Sequence, residues 1–177
     1  MLHLSFLRWS LGLLATALPL LLAAQLDYAL DIPDIAGDVT QSDFVGQIEI
    51  TSFSYGVEAE LDGPRTAGSV SQGCFLLGKS VDRASPLLFA AVTTRRSFPE
   101  ITLTAYRYND GNLSLPIVYT FRNVHITKWE TGAEGESGID EVIGIVAEEV
   151  EIEYTIYDET GAREGIITTS YNFAVPE

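Results

Sequence analysis

The stretch SVSQGCFLLGKSVDRASPLLFAAVTT, residues 69–94, contains the strand, turn and helix that decide the fold. Its apolar run Cys74–Leu77 predicts a short strand buried on both faces, which Gly78 and the four residues after it are expected to end. Ser85 and Pro86 then predict a helix start, because a serine hydroxyl can satisfy a free backbone N–H and proline tolerates the first helical turn. We expect this helix to run from Pro86 to the end of the stretch. It is apolar nearly all round, which predicts that it is buried or lies at an interface.

Most of the chain outside this stretch alternates between apolar and polar residues, which is typical of strands. The alternating apolar residues are Phe44, Ile48 and Ile50, followed by Phe53, Tyr55, Val57, Ala59 and Leu61. The change from even to odd positions predicts a bulge or bend near Thr51, and a strand bent in this way can serve two sheets. A second change of phase falls at Asn123.

Turn signals separate these segments. Asn109–Asn112 contains Asp-Gly, a dipeptide that tolerates the positive φ of tight hairpins, and Asp158–Gly161 predicts a further turn. Many alternating segments with one short helix indicate a mainly β protein, either an antiparallel β-barrel or a tight sandwich.

One polar segment interrupts this pattern before the central stretch. It comprises Glu58, Glu60, Asp62, Gly63, Pro64, Arg65 and Gly68. It is too long for a tight hairpin and holds little that could pack on its own barrel. A loop of this kind is usually functional or disordered, so we treat the segment as a candidate functional site.

The N-terminus has the pattern of an export signal. Arg8 precedes an almost unbroken apolar and small-residue run, Leu11–Ala24, which has the length of a secretory signal and is short for a membrane span. The sequence predicts cleavage near Ala24, which leaves residues 25–177 as one domain without a stable membrane span. An uncleaved anchor and a misassigned start codon are the alternatives. We expect the protein to be exported, to the periplasm, the cell envelope or the outside.

The chain is strongly acidic, with 25 Asp and Glu, 10 Lys and Arg, and a net charge of −15. Removal of the leader, which holds one arginine and no acid, makes the net charge more negative. Such a surface repels nucleic acid and anionic membrane. The charge favours a role in solubility, with binding of divalent cations as the alternative. Cys74 is the only cysteine, which excludes an intramolecular disulfide.

We find no catalytic constellation in the sequence, and no phosphate loop, zinc spacing or dinucleotide fingerprint. His125 alternates with Val124 and Ile126, so we expect it to face solvent or an interface. Cys74 lies in an apolar run and is expected to be an inert core residue. The sequence therefore predicts a protein that is not an enzyme and needs no cofactor.

Acidic residues near the C-terminus are candidates for calcium binding. They are Glu148, Glu149, Glu151 and Glu153, with Asp158 and Glu159 at the following turn. Calcium needs several oxygens that converge on one point, whereas alternate residues of a strand stand in a row. A solvated face that blocks unwanted strand pairing is the favoured interpretation.

Five segments, in order, resemble the haemolysin-coregulated protein (Hcp) family, which forms the tube of bacterial type VI secretion systems. Val81–Leu87 resembles the family signature "kxvDkaSPxL", and Asp31–Gly37 resembles the opening "xIdGIxGes". Ile48–Gly56 resembles "IeVlSfswG", Phe98–Leu103 resembles the strand after the helix, and Glu151–Thr155 resembles the late strand "ieyty". The resemblance extends from about residue 27 to the C-terminus.

The resemblance implies a small barrel of two packed sheets with a helix on its side. It also implies a structural subunit of which six copies form a ring, with rings that stack into a tube and carry effectors. It identifies Asp82, Ser85, Pro86 and Leu87 as the family motif and the polar segment, by position, as the ring-stacking loop. The partners implied are other copies of the chain, secretion-system components and effectors.

The leader does not fit a tube subunit that assembles in the cytoplasm. A second hypothesis is therefore an exported β-barrel binding module that has kept the fold but not the tube. The leader and the acidic surface favour this second hypothesis, and particle size in solution distinguishes the two.

Overall fold

A computed structural model of the chain describes residues 26–61, 67–109, 112–133 and 138–174. The predicted leader, residues 1–24, lies outside this part of the chain. The described elements are β1 Asp27–Asp31, β2 Ile48–Ile50, β3 Ser52–Ser54, β4 Val57–Leu61, β5 Ala67–Gln72, β6 Phe75–Ser80, α1 Ser85–Thr94, β7 Ser97–Asn109, β8 Asn112–Ala133, β9 Ile139–Tyr157 and β10 Arg163–Asn172.

Eight of the strands form one antiparallel sheet in the order β2-β1-β7-β8-β9-β6-β3, with β10 added to the second half of β9. Because β2 and β3 are separated only by Thr51, the two ends of this order are almost continuous in the chain. The sheet therefore nearly closes into a barrel. β4 and β5 form a separate two-stranded sheet. The predicted fold class is confirmed: the described residues are mainly β and barrel-like, with one helix.

Both predicted changes of phase are confirmed. β2 pairs with β1 and β3 pairs with β6, so the bend at Thr51 lets one segment serve both ends of the sheet. Asn123 has φ +51°, and the buried positions of β8 change from Phe121 to Val124 and Ile126 across it. Asparagine tolerates this left-handed conformation better than most residues do, so it can reset which side chains face the core.

The core lies inside the barrel and under the helix. Its fully buried large side chains include Leu30, Ile48, Phe75, Leu77, Leu88, Phe98, Ile101, Leu103, Phe121, Ile143 and Ile145. Phe75 is central, since its ring contacts those of Phe53, Tyr119 and Phe121. Burial of such side chains is the main source of the stability that a chain without disulfides needs.

Two predictions about the central stretch were wrong in detail. The strand does not end at Gly78: β6 continues to Ser80, and Lys79 pairs with Glu141 of β9. The strand can contain this lysine because its charge has buried partners, described below. The helix begins at Ser85, one residue earlier than predicted, and Ala84 occupies the cap position without a capping side chain.

Candidate assembly surface

A buried ionic network lies beside the start of the helix. Lys79 is fully buried, and its Nζ is 2.8 Å from Glu141 Oε2 and 2.8 Å from Asp82 Oδ1. It also donates a hydrogen bond to the carbonyl of Ser80 at 2.7 Å. Glu141 is nearly as buried as Lys79. A buried charge is tolerated only when partners of this kind compensate for its lost hydration.

The motif residues Asp82 and Ser85 belong to this network. The Ser85 hydroxyl donates to Glu141 Oε2 at 2.6 Å and accepts the backbone N–H of Asp82 at 3.1 Å. Asp82 Oδ1 accepts the backbone N–H of Ala84 at 3.0 Å. Ser85 is therefore not the helix cap that the sequence suggested. Instead, its side chain ties α1 to β9, while Pro86 occupies the first turn as predicted.

Lys79 and Glu141 were not identified from the sequence. The usable signal was the alternation Phe75, Leu77, Lys79, which places the lysine on the core face of β6. A lysine on a core face requires an acid, and the register of β6 with β9 places Glu141 directly opposite it. That register could not be deduced from either strand alone.

The helix presents an apolar surface to solvent. Leu88 and Ala91 are buried, whereas Leu87 is 47% exposed and Phe89 is 50% exposed. Phe89 packs edge-on against Trp129 of β8, with ring centroids 5.3 Å apart. The helix is thus only half covered by its own barrel, although it is apolar on both sides.

The β9–β10 pair carries a second exposed apolar surface. Tyr154 and Ile167 lie directly opposite each other across the two strands. Tyr154 is 50% exposed and Ile167 is 60% exposed. Aromatic side chains such as that of Tyr154 are enriched at protein interfaces.

The strands β4 and β5, which include both ends of the polar segment before the central stretch, pair as a β-hairpin, and this pairing was not predicted from the sequence. β4 and β5 pair from Val57–Gln72 to Leu61–Ala67, because the alternation of β4 continues into the segment. Glu58 and Glu60 lie on β4, and Gly68 lies on β5. The remaining candidates, Asp62, Gly63, Pro64 and Arg65, lie outside the described residues.

The two faces of the hairpin differ in chemistry. Val57 and Val70 line a groove of about 290 Å³ that is completed by Tyr55, Val150, Ile152, Thr169, Ser170, Tyr171 and Phe173. Val57 is nevertheless 50% exposed, and Glu58, Ala59 and Glu60 are exposed as well. An isolated two-stranded hairpin is at best marginally stable in water. Glu58 and Glu60 give the hairpin an acidic face, and Val57 and Val70 give it an apolar face. Its own barrel covers neither face fully.

His125 is exposed, as predicted, and lies beside the end of the helix. It lines a shallow groove with Val92, Arg95, Ile126 and Thr127. Arg95 ends the helix in a left-handed conformation with φ 55° and ψ 39°.

Cys74 is not the core residue that the sequence suggested. It precedes β6, is only half-buried, and its Sγ lies 3.7 Å from Thr127 Oγ1 and 3.5 Å from the carbonyl of Ile145. Cys74 lies on the outer face of the sheet over Gly144. A Cβ added at Gly144 would lie 2.6 Å from the Sγ of Cys74. The apolar run around it misled the prediction, because alternate residues of one strand face opposite sides.

Three of the candidate calcium ligands on β9 have partners within the chain: Glu149 and Glu151 pair with Arg122, and Glu148 accepts a hydrogen bond from the Asn123 side-chain amide. Arg122 forms ion pairs with Glu149 at 2.7 Å, Glu151 at 3.5 Å and Glu100 at 3.3 Å. At the following turn, hydrogen bonds from the Thr160 side chain and the Ala162 backbone lower the pKa of Asp158. Within the described residues, no group of three potential ligands could hold a metal ion.

A comparison with models of protein families gives one match. The model described as "Type VI secretion system effector, Hcp" covers residues 29–158. The chain belongs to the Hcp family. This confirms the resemblance inferred from the five sequence segments. A comparison with curated protein sequences finds no match.

Solved structures of Hcp proteins share the fold. Hcp1 from Salmonella typhimurium is 23% identical, with a TM-score of 0.70, over 86% of this chain and 97% of that protein. Hcp1 from E. coli EAEC 042, solved as a double mutant, is 21% identical, with a TM-score of 0.67, over 85% and 99%. A structure described as a type six secretion system protein is 22% identical, with a TM-score of 0.77, over 85% and 97%. The described residues include no helix that is long and apolar enough to cross a membrane.

Proposed function

We propose that the mature chain is a structural, non-enzymatic Hcp-type subunit whose copies form closed rings, hexamers by analogy with the family, and that these rings stack into a tube. The observation that carries this proposal is the β4–β5 hairpin. It forms a sheet of its own, and both of its faces are accessible to a partner. Family membership supplies the kind of partner, which is another copy of the chain.

Ring formation needs a head-to-tail contact between two different surfaces of one subunit. Two exposed apolar surfaces are available, one around Phe89 and Trp129 and one around Tyr154 and Ile167. Trp129 lies near one end of β8, and Ile117, which pairs with Tyr154, lies near the other. At about 3.3 Å per residue, the path of twelve residues along β8 is roughly 40 Å long. The two surfaces therefore lie toward opposite ends of β8, which suits a head-to-tail contact between neighbouring subunits.

In this proposal the hairpin, with the segment 62–66, contacts the next ring, and the lumen of the tube carries small effectors. The acidic surface disfavours nucleic acid as a partner. We further propose that the leader directs export and is removed near Ala24, so that residues 25–177 are the assembling form.

The proposal is tested by light scattering coupled to size-exclusion chromatography on residues 25–177, with and without residues 62–67. We expect rings and larger stacks for the intact chain. The deletion should give single rings only, because it shortens the hairpin that we propose contacts the next ring and leaves the buried residues of the described core in place. A deletion variant that still forms stacks would contradict the role of the hairpin.

The alternative is an exported binding module that keeps the Hcp fold without forming a tube. The N-terminal run Leu11–Ala24 and the net charge of −15 favour it. An intact chain that remains monomeric at high concentration and at both low and high salt supports this alternative.

A further inference from the structure

Arg95 is a candidate recognition residue at the end of α1. The groove that it lines with Val92, His125, Ile126 and Thr127 has a volume of about 390 Å³ and is open to solvent. Val92 and Ile126 give this groove an apolar floor, and Arg95 and His125 place basic groups beside it. We call this site the Arg95 groove. A groove of this composition suits a carboxylate carried on a short aliphatic stem.

Most of the other basic side chains in the described part of the chain have acidic partners. Lys79, Arg83, Arg96, Arg122 and Lys128 each form at least one ion pair with an acid of the same chain. Within the described residues, Arg95 forms none. Arg107 and Arg163 also form no ion pair there, and Arg95 combines an uncompensated charge with a place on the wall of an open groove.

The β4–β5 hairpin carries acids that have no ion-pair partner within the described residues. Glu58 lies opposite Ser71 across the strand pair, and β5 has the sequence AGSVSQ, which contains no basic residue. Glu58 and Glu60 lie on the same face of β4 and are about 7 Å apart, because they are two residues apart on a strand. Both are exposed.

The geometry of the hairpin directs these acids outward. Val57 and Val70 line the groove toward β9 and β10 of the same barrel. Since successive side chains of a strand point to opposite faces, Glu58 and Glu60 point away from that barrel. Their natural partner is therefore outside the subunit.

We propose that the Arg95 groove binds the acidic face of the β4–β5 hairpin of a second copy of the chain. This inference rests on the proposed stacking of rings and names the two surfaces that would meet. One copy supplies Glu58 and Glu60, and the other supplies the guanidinium of Arg95, with Val92 and Ile126 packing against the glutamate stems. Charge complementarity between the surfaces identifies the occupant as another copy. The contact also removes the repulsion between acidic hairpins, and it should weaken at high salt.

The test is a charge exchange in residues 25–177, followed by light scattering and electron microscopy. Arg95→Glu, and separately Glu58→Lys with Glu60→Lys, should each leave single rings and eliminate all larger species. The variant that combines the three substitutions should recover stacks, because the charges are then exchanged rather than lost. Arg163→Glu, which makes the same change of charge at another arginine without an ion pair among the described residues, is the matched control and should stack like the unaltered chain.

The milder substitution Arg95→Gln keeps the test decisive if Arg95→Glu fails to fold. In the Arg95→Gln variant, stacks should dissociate at a lower salt concentration than in the unaltered chain. Normal stacking of both Arg95 variants would overturn the inference, as would a combined variant that stacks no better than its parents. Unaltered rings that do not stack would overturn the inference but leave ring formation intact. A monomeric unaltered chain would overturn both.

Discussion

At the scale of the residue, the buried lysine explains the motif of the central stretch. Asp82 and Ser85 are needed because Lys79 is fully buried and must be surrounded by acceptors, and Glu141 completes the set from β9. The four residues connect the end of β6, the start of α1 and β9. The motif is therefore a structural device that fixes the position of the helix, and with it the exposed residues Leu87 and Phe89.

The substitution Lys79→Met should destabilise the protein strongly. It leaves Glu141 buried without its cation, and loss of one partner of a buried pair costs about 3–5 kcal/mol in free energy of unfolding. The double substitution Lys79→Met with Glu141→Leu should recover most of this loss, because no unpaired charge then remains. Urea denaturation of the three proteins measures the difference.

The matched control for this prediction is Arg83→Ala, which breaks the ion pair with Asp38 on the surface. Both partners of that pair are well exposed, so water and salt replace most of the interaction, and stability should change little. Equal losses for Lys79→Met and Arg83→Ala would show that the buried network is not a structural centre.

At the scale of the element, the sequence predicted the pattern of strands better than their pairing. The changes of phase at Thr51 and Asn123 were visible because period-two alternation records which face of a strand is buried. The extension of β6 through Lys79 and the hairpin of β4 with β5 were not predicted. Both depend on partners distant in the chain or across a loop, which the local pattern of polar residues does not reveal.

The hairpin should be dispensable for folding. The backbone N–H of Gly73 donates to the carbonyl of Gly56 at 2.9 Å, so the chain enters and leaves the hairpin at adjacent points. Replacement of residues 57–72 by two glycines should therefore close the gap without strain. A single large-to-small core substitution lowers the free energy of unfolding by about 2–5 kcal/mol. We expect loss of the hairpin to lower it by less than this.

A suitable comparison is Phe75→Ala, which removes the central aromatic ring of the barrel. Thermal and urea unfolding of both variants give the ranking. If loss of the hairpin proves as costly as loss of Phe75, the hairpin belongs to the core and is not an appendage available to a partner.

At the scale of the whole molecule, the fold and the family were accessible from the sequence, whereas the assembly surface was only partly so. Five ordered segments indicated the Hcp family, and the family model covers residues 29–158. The location of the candidate loop followed from its polarity. The basic groove around Arg95 did not, because it joins the end of a helix to the middle of β8.

Export is a prediction about the whole chain as made in the cell. Protein isolated from its native host should begin at or near Gln25, because the apolar run behind Arg8 has the length of a secretory signal. Mass spectrometry of the endogenous N-terminus measures this. Retention of Met1, or a start at an internal codon, would contradict cleavage near Ala24.

We propose that copies of this chain assemble into rings through surfaces that its own barrel leaves uncovered. Electron microscopy of residues 25–177 at high concentration tests it most directly. We expect closed rings of uniform size in end views, with six-fold symmetry, and stacks of such rings in side views. A field of particles that have the size of one subunit, at both low and high salt, would contradict it.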